Sequence, residues 1–251
     1  MSSRAVTLRD IAPALLSPRS FYARVEDVAG YGGPLVVLLV TLTVVGYATV
    51  QTGLIDRAVD QEVERQVAQI EKENFDVVER LALTEMIADC RKGGEFTKLM
   101  ARAQRIVAAP VGLLASLLLT ASLFYGLVAL TGKKPEWHTL MTIVVFAGFA
   151  VLLGAMVELG LMMRYRRLEV DTSLGLLAPM IRPAFGEVSQ PVGRVQGLLT
   201  AVDPFRVWFW ILVATGLSVT GQLRGWRSWV PCTVCWLGAA GVRAAGWVKG
   251  G

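Results

Sequence analysis

Apolar and charged positions are segregated along this chain. Residues 34–55 (PLVVLLVTLTVVGYATVQTGLI) and 106–132 (IVAAPVGLLASLLLTASLFYGLVALTG) carry no charged side chain. Residues 137–157 continue the pattern, and the run stays apolar to Met163 apart from Glu158. An uncharged apolar run of about 18 residues or more is long enough to cross a bilayer as a helix. Two weaker stretches follow, 207–223, slightly short, and 228–247, which holds Arg243 near its end. The expected fold is all-α, with five transmembrane helices.

The segments between these runs have a different periodicity. In 17–28 (SPRSFYARVEDV), Ser17 is placed to cap a short helix and Pro18 to sit in its first turn, where a missing N–H costs nothing. Phe21, Tyr22 and Val25 share one face, and Arg19 and Arg24 suit a headgroup layer, so this helix is expected to lie on the membrane surface. In 56–105, Val63, Ile70 and Val77 recur every seventh residue, with Val59, Val67 and Leu81 alongside. That stripe predicts an amphipathic helix continuing span 1 out of the membrane. Gly93-Gly94 is expected to break it, and Phe96, Leu99, Met100 and Ala103 to start a second arm, giving an extramembrane helical hairpin. Its apolar stripe must be covered by the second arm or by a partner; packing within the chain is the simpler expectation. In 164–206 the runs 173–181 and 195–202 are too short to span, and Pro179, Pro183, Gly186 and Pro191 interrupt any long helix. The organisation is thus an interfacial segment, 1–33, and a membrane domain, 34–251, with the hairpin 56–105 inserted.

Composition agrees with this pattern. Charged residues make up 18% of 251 and hydrophobic ones 54%, with a mean hydropathy of +0.52. Soluble domains carry roughly 25% charge. The net charge of +5 is ordinary for a membrane protein, since basic residues bordering spans meet lipid headgroups, so nucleic acid is not implied. Span 1 begins too late and is too long for a cleaved signal peptide, and is expected to remain as an anchor. Gly112, Ser116 and Thr120, then Ala150 and Gly154, then Gly241 and Ala245, offer small faces for close helix packing.

Few residues suggest chemistry. His138 is the one histidine and has no HExxH context; anchoring at the interface suits it better than catalysis or metal binding. Cys232 and Cys235 form a CxxC in the fifth run, a spacing used by redox pairs and half zinc sites. Only Cys90 could join them, and no βαβ pattern surrounds them, so helix packing is the favoured reading. Glu158 is the sharpest anomaly, because a carboxylate at a span centre costs about 2.5–3.5 kcal/mol on insertion scales. Its place near the end of span 3 favours a structural pair, with Arg164 or Arg243 as partners, over a transport path. No GxxxxGK[ST], GxGxxG or GxSxG sequence occurs, so nothing marks the chain as an enzyme and no cofactor is expected.

"LLSPRSFYARV" (15–25), "DTSLGLLAP" (171–179) and "VDPFRVWFWILVATGLSV" (202–219), with the five-run layout, resemble the Yip family of membrane proteins. Asp203, Pro204, Phe205, Trp208, Gly216, Leu217 and Ser218 occupy the positions of the family's fourth-span motif. The charged hairpin matches the bacterial-type branch. Eukaryotic members interact with Ypt/Rab GTPases through a longer N-terminal region, so that binding does not carry over. Some members accompany ABC-type efflux systems. The resemblance therefore implies an accessory or scaffold in the bacterial cytoplasmic membrane, with the bilayer and a membrane protein, such as an ABC-type transporter, as partners. A small transporter using Glu158 is the alternative. The family orientation implies a cytoplasmic N-terminus with Lys133, Lys134, Arg224 and Arg227 on that side. It leaves Arg57, Arg102, Arg105 and Arg164–Arg167 outside, against the positive-inside tendency.

Overall fold

Every regular element is helical among the residues described in the computed structural model, 8–25, 30–74, 80–166, 202–223 and 225–249. After a 3₁₀ turn at Leu8–Asp10 come α1 (Ile11–Leu16), α2 (Pro18–Tyr22), α3 (Gly32–Gln51), α4 (Leu54–Asn74) and α5 (Arg80–Ala103). A π-turn, Gln104–Ala108, leads into α6 (Ala109–Leu130), followed by α7 (Trp137–Tyr165), α8 (Pro204–Val219) and α9 (Trp226–Lys249). The short runs 173–181 and 195–202, with their prolines, and the 171–179 motif lie outside the described residues. So do Val77, Arg167, Arg224 and the side chains of Leu81, Arg243 and Ala245.

Among the described residues, three helical stretches are long and apolar enough to cross a membrane: Gly32–Gln51, the continuous run Ala82–Leu130 that contains α6, and Trp137–Tyr165. They are apolar for different reasons. The most apolar 18-residue stretch of α7 is 72% buried by protein, against 22% for α3 and 28% for the α5–α6 run. Thus α7 is a core helix, and α3 and α6 present outer faces. On α3 those faces carry Val36, Val40, Val44 and Tyr47; on α6 they carry Leu118, Leu119 and Leu123. Hydrocarbon is a suitable solvent for such surfaces.

The chain clusters into two compact units. The first comprises 1–41, 113–158 and 171–251, the second 42–112 and 159–170. In the first, Leu140, Ile143, Val144, Phe146, Ala147 and Ala150 of α7 are essentially inaccessible. Leu117, Ala121, Phe124 and Val128, at helical spacing on α6, are buried with them. Gly148 makes a close approach possible: a Cβ there would lie 2.9 Å from Leu38 and 3.4 Å from Leu117.

In the second unit α4 and α5 run antiparallel, and two expectations need correction. The first helix does not continue from span 1. Gly53 takes φ +67°, and Thr52 Oγ1 accepts the Leu54 N–H at 3.3 Å, ending α3 and starting α4. Nor does Gly93-Gly94 break a helix, because α5 passes straight through both. A Cβ at Gly94 would sit 2.5 Å from Val63 Cγ2, so this glycine is there for close approach of α4. The π-turn puts the Arg105 carbonyl against Gly46, where any side chain would collide with it.

Candidate functional site

Two constellations stand out, one in each unit. In the second unit, polar contacts recur about once per turn along α4 and α5. The Arg102 guanidinium forks onto Asp56, Nε to Oδ1 at 3.0 Å and NH2 to Oδ2 at 2.7 Å. One turn on, Lys98 Nζ lies 2.7 Å from Asp60 and 2.7 Å from Glu95. Beyond the Val63–Gly94 contact, the Cys90 thiol donates to Gln66 Oε1 at 3.7 Å. The hydrogen bond from Arg102 holds the Asp56 carboxyl below the usual carboxylate range, and the guanidinium charge adds to that. Hydrogen bonds to Asp60 and then Glu95 raise Lys98. Val67 is buried, whereas Phe96, Leu99 and Met100 are 60%, 58% and 49% exposed. On α5, Lys98 and Arg102 thus reach toward α4, while Phe96, Leu99 and Met100 face outward.

Hydrophobic periodicity alone does not reveal this ladder. A signal was present in hindsight: acids at 56 and 60 and bases at 98 and 102 share the four-residue spacing of one helix face.

In the first unit, the sequence motifs converge on α7. Asp203 has extended backbone (φ −95°, ψ 118°) and its side chain accepts the Phe205 N–H at 2.9 Å, with Pro204 at the first helical position of α8. Asp203 also lies 3.4 Å from Arg206 Nε. The Phe205 ring fills the space beside Gly154, where a Cβ would come within 2.9 Å of it. Trp208 is half-buried, and Gly216 faces Ile143, whose Cγ2 would be 2.6 Å from an added Cβ.

The N-terminal motif differs from expectation. Pro18 does open α2, but Ser17 makes no side-chain cap; instead Ser20 Oγ donates to its carbonyl at 2.9 Å. Phe21 and Tyr22 are 3% and 1% exposed. Phe21 stacks on Phe146 with centroids 4.7 Å apart, and the Tyr22 hydroxyl donates to the Ile143 carbonyl at 3.3 Å. The apolar face expected on the membrane surface is covered by α7, because a protein groove satisfies it as well as lipid does.

The remaining candidates stay apart. Glu158 is half-buried on α7 and is not without an interaction partner. Cys232 is buried and Cys235 half-buried on α9, both as free thiols. Among the described residues no group of three or more His, Cys, Asp and Glu could hold a metal. His138 stands 5.9 Å from the Tyr31 ring. An unforeseen polar contact closes the other end of α8: Glu136 Oε2 accepts from Thr139 Oγ1 at 3.0 Å and Gln222 Nε2 at 2.9 Å.

The family model described as the Yip1 domain matches residues 14–244, nearly the whole chain. The chain belongs to the Yip1 family. No curated protein and no solved structure matches it. The matched span starts before the Ser17–Tyr22 segment and runs beyond α8, so both clamps on α7 fall inside the Yip1 domain. Membership and the three apolar helices together make this an integral membrane protein.

Proposed function

We propose that this Yip1-family protein crosses the bacterial cytoplasmic membrane five times, through α3, α6, α7, α8 and α9. Its α4–α5 pair stands outside the bilayer as a docking element, and the protein acts without catalysis as an accessory or scaffold. The partner is a membrane protein, and the family resemblance points to the ABC-transporter class. One observation carries this reading: α4 and α5 pair Asp56 with Arg102 and Asp60 with Lys98 yet leave Phe96, Leu99 and Met100 exposed. An apolar strip on an otherwise polar helix pair supports a protein contact.

At about 1.5 Å per residue, α4 is on the order of 30 Å long, enough to reach well past the headgroups. Placing a photo-crosslinking amino acid at Phe96 should capture an ABC-type subunit, and Leu99→Glu with Met100→Glu should abolish capture. If deleting residues 56–103 left every association of the protein intact, the scaffold reading would fail. The alternative, a small transporter with Glu158 in a polar path, draws on a half-buried carboxylate in an apolar helix. It requires proteoliposome flux that Glu158→Gln abolishes.

A further inference from the structure

Between α4 and α5 in the second unit lies a groove of about 1060 Å³. Its lining includes Leu54, Arg57, Val63, Arg65, Cys90 and Arg166. Three guanidinium groups line it against one carboxylate, Glu62, and Glu62 is already bonded to Arg65 at 3.3 Å. Among the described residues neither Arg57 nor Arg166 takes part in an ion pair. Their places in the chain matter as much as their charge. Arg57 lies in the first turn after α3 ends, and Arg166 directly follows the last residue of α7. Two unpaired cations thus sit where two membrane-length helices stop, beside an apolar floor formed by Leu54 and Val63.

We propose that this groove binds the phosphate of an anionic phospholipid, held between Arg57 and Arg166. A guanidinium presents a planar fork of donors that matches phosphate oxygens. Basic pockets at the ends of spanning helices meet headgroups at the depth where phosphates lie. The apolar floor suits the glycerol and ester region next to that phosphate. The proposal rests on the placement of α4 and α5 outside the bilayer given above.

The test uses the full chain, purified in a maltoside detergent and titrated with phosphatidylglycerol or phosphatidylcholine under native mass spectrometry. Arg57→Gln with Arg166→Gln should weaken phosphatidylglycerol binding by roughly tenfold or more, as loss of charged hydrogen bonds implies. Arg91→Gln with Lys92→Gln removes the same charge from exposed positions of α5 outside this lining, and should leave binding unchanged. Gel filtration and circular dichroism check that both variants fold. Equal phosphatidylglycerol binding by the wild type and the Arg57/Arg166 variant would overturn the proposal. So would inorganic phosphate that displaces the lipid at the lipid's own concentration, because the site would then hold a small anion. The membrane placement is read separately, by labelling Cys90 in cells with an impermeant maleimide in a Cys232→Ser, Cys235→Ser background. Failure to label both in cells and in inside-out membrane vesicles overturns the placement whatever the lipid titration returns.

Discussion

The Gly216–Ile143 contact allows a test in which the sign of the effect decides. An alanine methyl at 216 would lie 2.6 Å from Ile143 Cγ2 and 3.0 Å from Cγ1, against about 3.4 Å for ordinary contact. The deficit is about 0.8 Å. Ile143 cannot easily move away, since it is fully buried and a β-branched residue in a helix has essentially one rotamer. Overpacking of this kind costs about 1–3 kcal/mol. Alanine returns about 1 kcal/mol through better helix propensity. Gly216→Ala should therefore destabilise by about 1 kcal/mol, a fall of roughly 2–4 °C in Tm for a chain of this size.

Ile143→Ala alone opens a cavity and should cost about 2–5 kcal/mol. The double variant removes both clashing methyl and methylene groups and lets the methyl introduced at position 216 occupy part of the space. Its cost should fall short of the sum of the singles by about 1–3 kcal/mol. The assay is thermal unfolding in detergent followed by circular dichroism, on the four proteins of the cycle. A Gly216→Ala variant that melts higher than the wild type would refute the close approach, and so would a cycle additive to within about 0.5 kcal/mol.

Three further outcomes follow from the same geometry. Adjacent glycines of α5 should respond oppositely: Gly93→Ala meets nothing within 4 Å and should slow amide exchange in α5 by about fivefold, while Gly94→Ala strikes Val63 and should speed it. Asp203→Ala should cost about 0.5–2 kcal/mol by thermal melting and expose the Phe205 amide to exchange, whereas Asp203→Asn retains the cap and most of the stability. The α4–α5 pair should be tightest between about pH 5 and 9. The folded Asp56 carboxyl is depressed, so its contribution is complete above about pH 4 and is lost as pH falls through the lowered value. Lys98 is raised, so its contribution is complete below about pH 10 and is lost as pH climbs through the raised value. Spin-label distances between the helices should broaden at both extremes, with Asp56→Asn removing the acid limb and Lys98→Met the alkaline one.

What could be read from the sequence is what the chain decides locally. Uncharged runs located α3, α6 and α7, since no other structure accommodates so long an apolar backbone. Asp203-Pro204 marked the start of α8, because capping involves only the next two residues. Misreadings arose where a residue answers to a distant neighbour. Gly93-Gly94 reads locally as a breaker, yet a glycine costs a helix only about 1 kcal/mol, and the approach of Val63 leaves no room for a side chain at position 94. Periodicity gave Phe21 and Tyr22 a common face but could not say whether lipid or α7 covers it. Asp56 and Arg102 are 46 residues apart, and only the folding back of α5 reveals them as a pair.

These misreadings bear on where function resides. In hydrocarbon, apolarity does not distinguish a core face from a lipid face, so shape must specify which helices meet. In the first unit glycines carry that shape: Gly148 admits Leu38 and Leu117, Gly154 admits Phe205, and Gly216 admits Ile143. Phe205 and Gly216 are thus knob and hole of the α7–α8 fit, and Asp203 and Pro204 set where that fit begins. Residues committed to assembly in this way are poor candidates for binding anything else. Both the docking and the lipid proposals place the protein's work instead on the exposed strip and the cationic groove of α4 and α5.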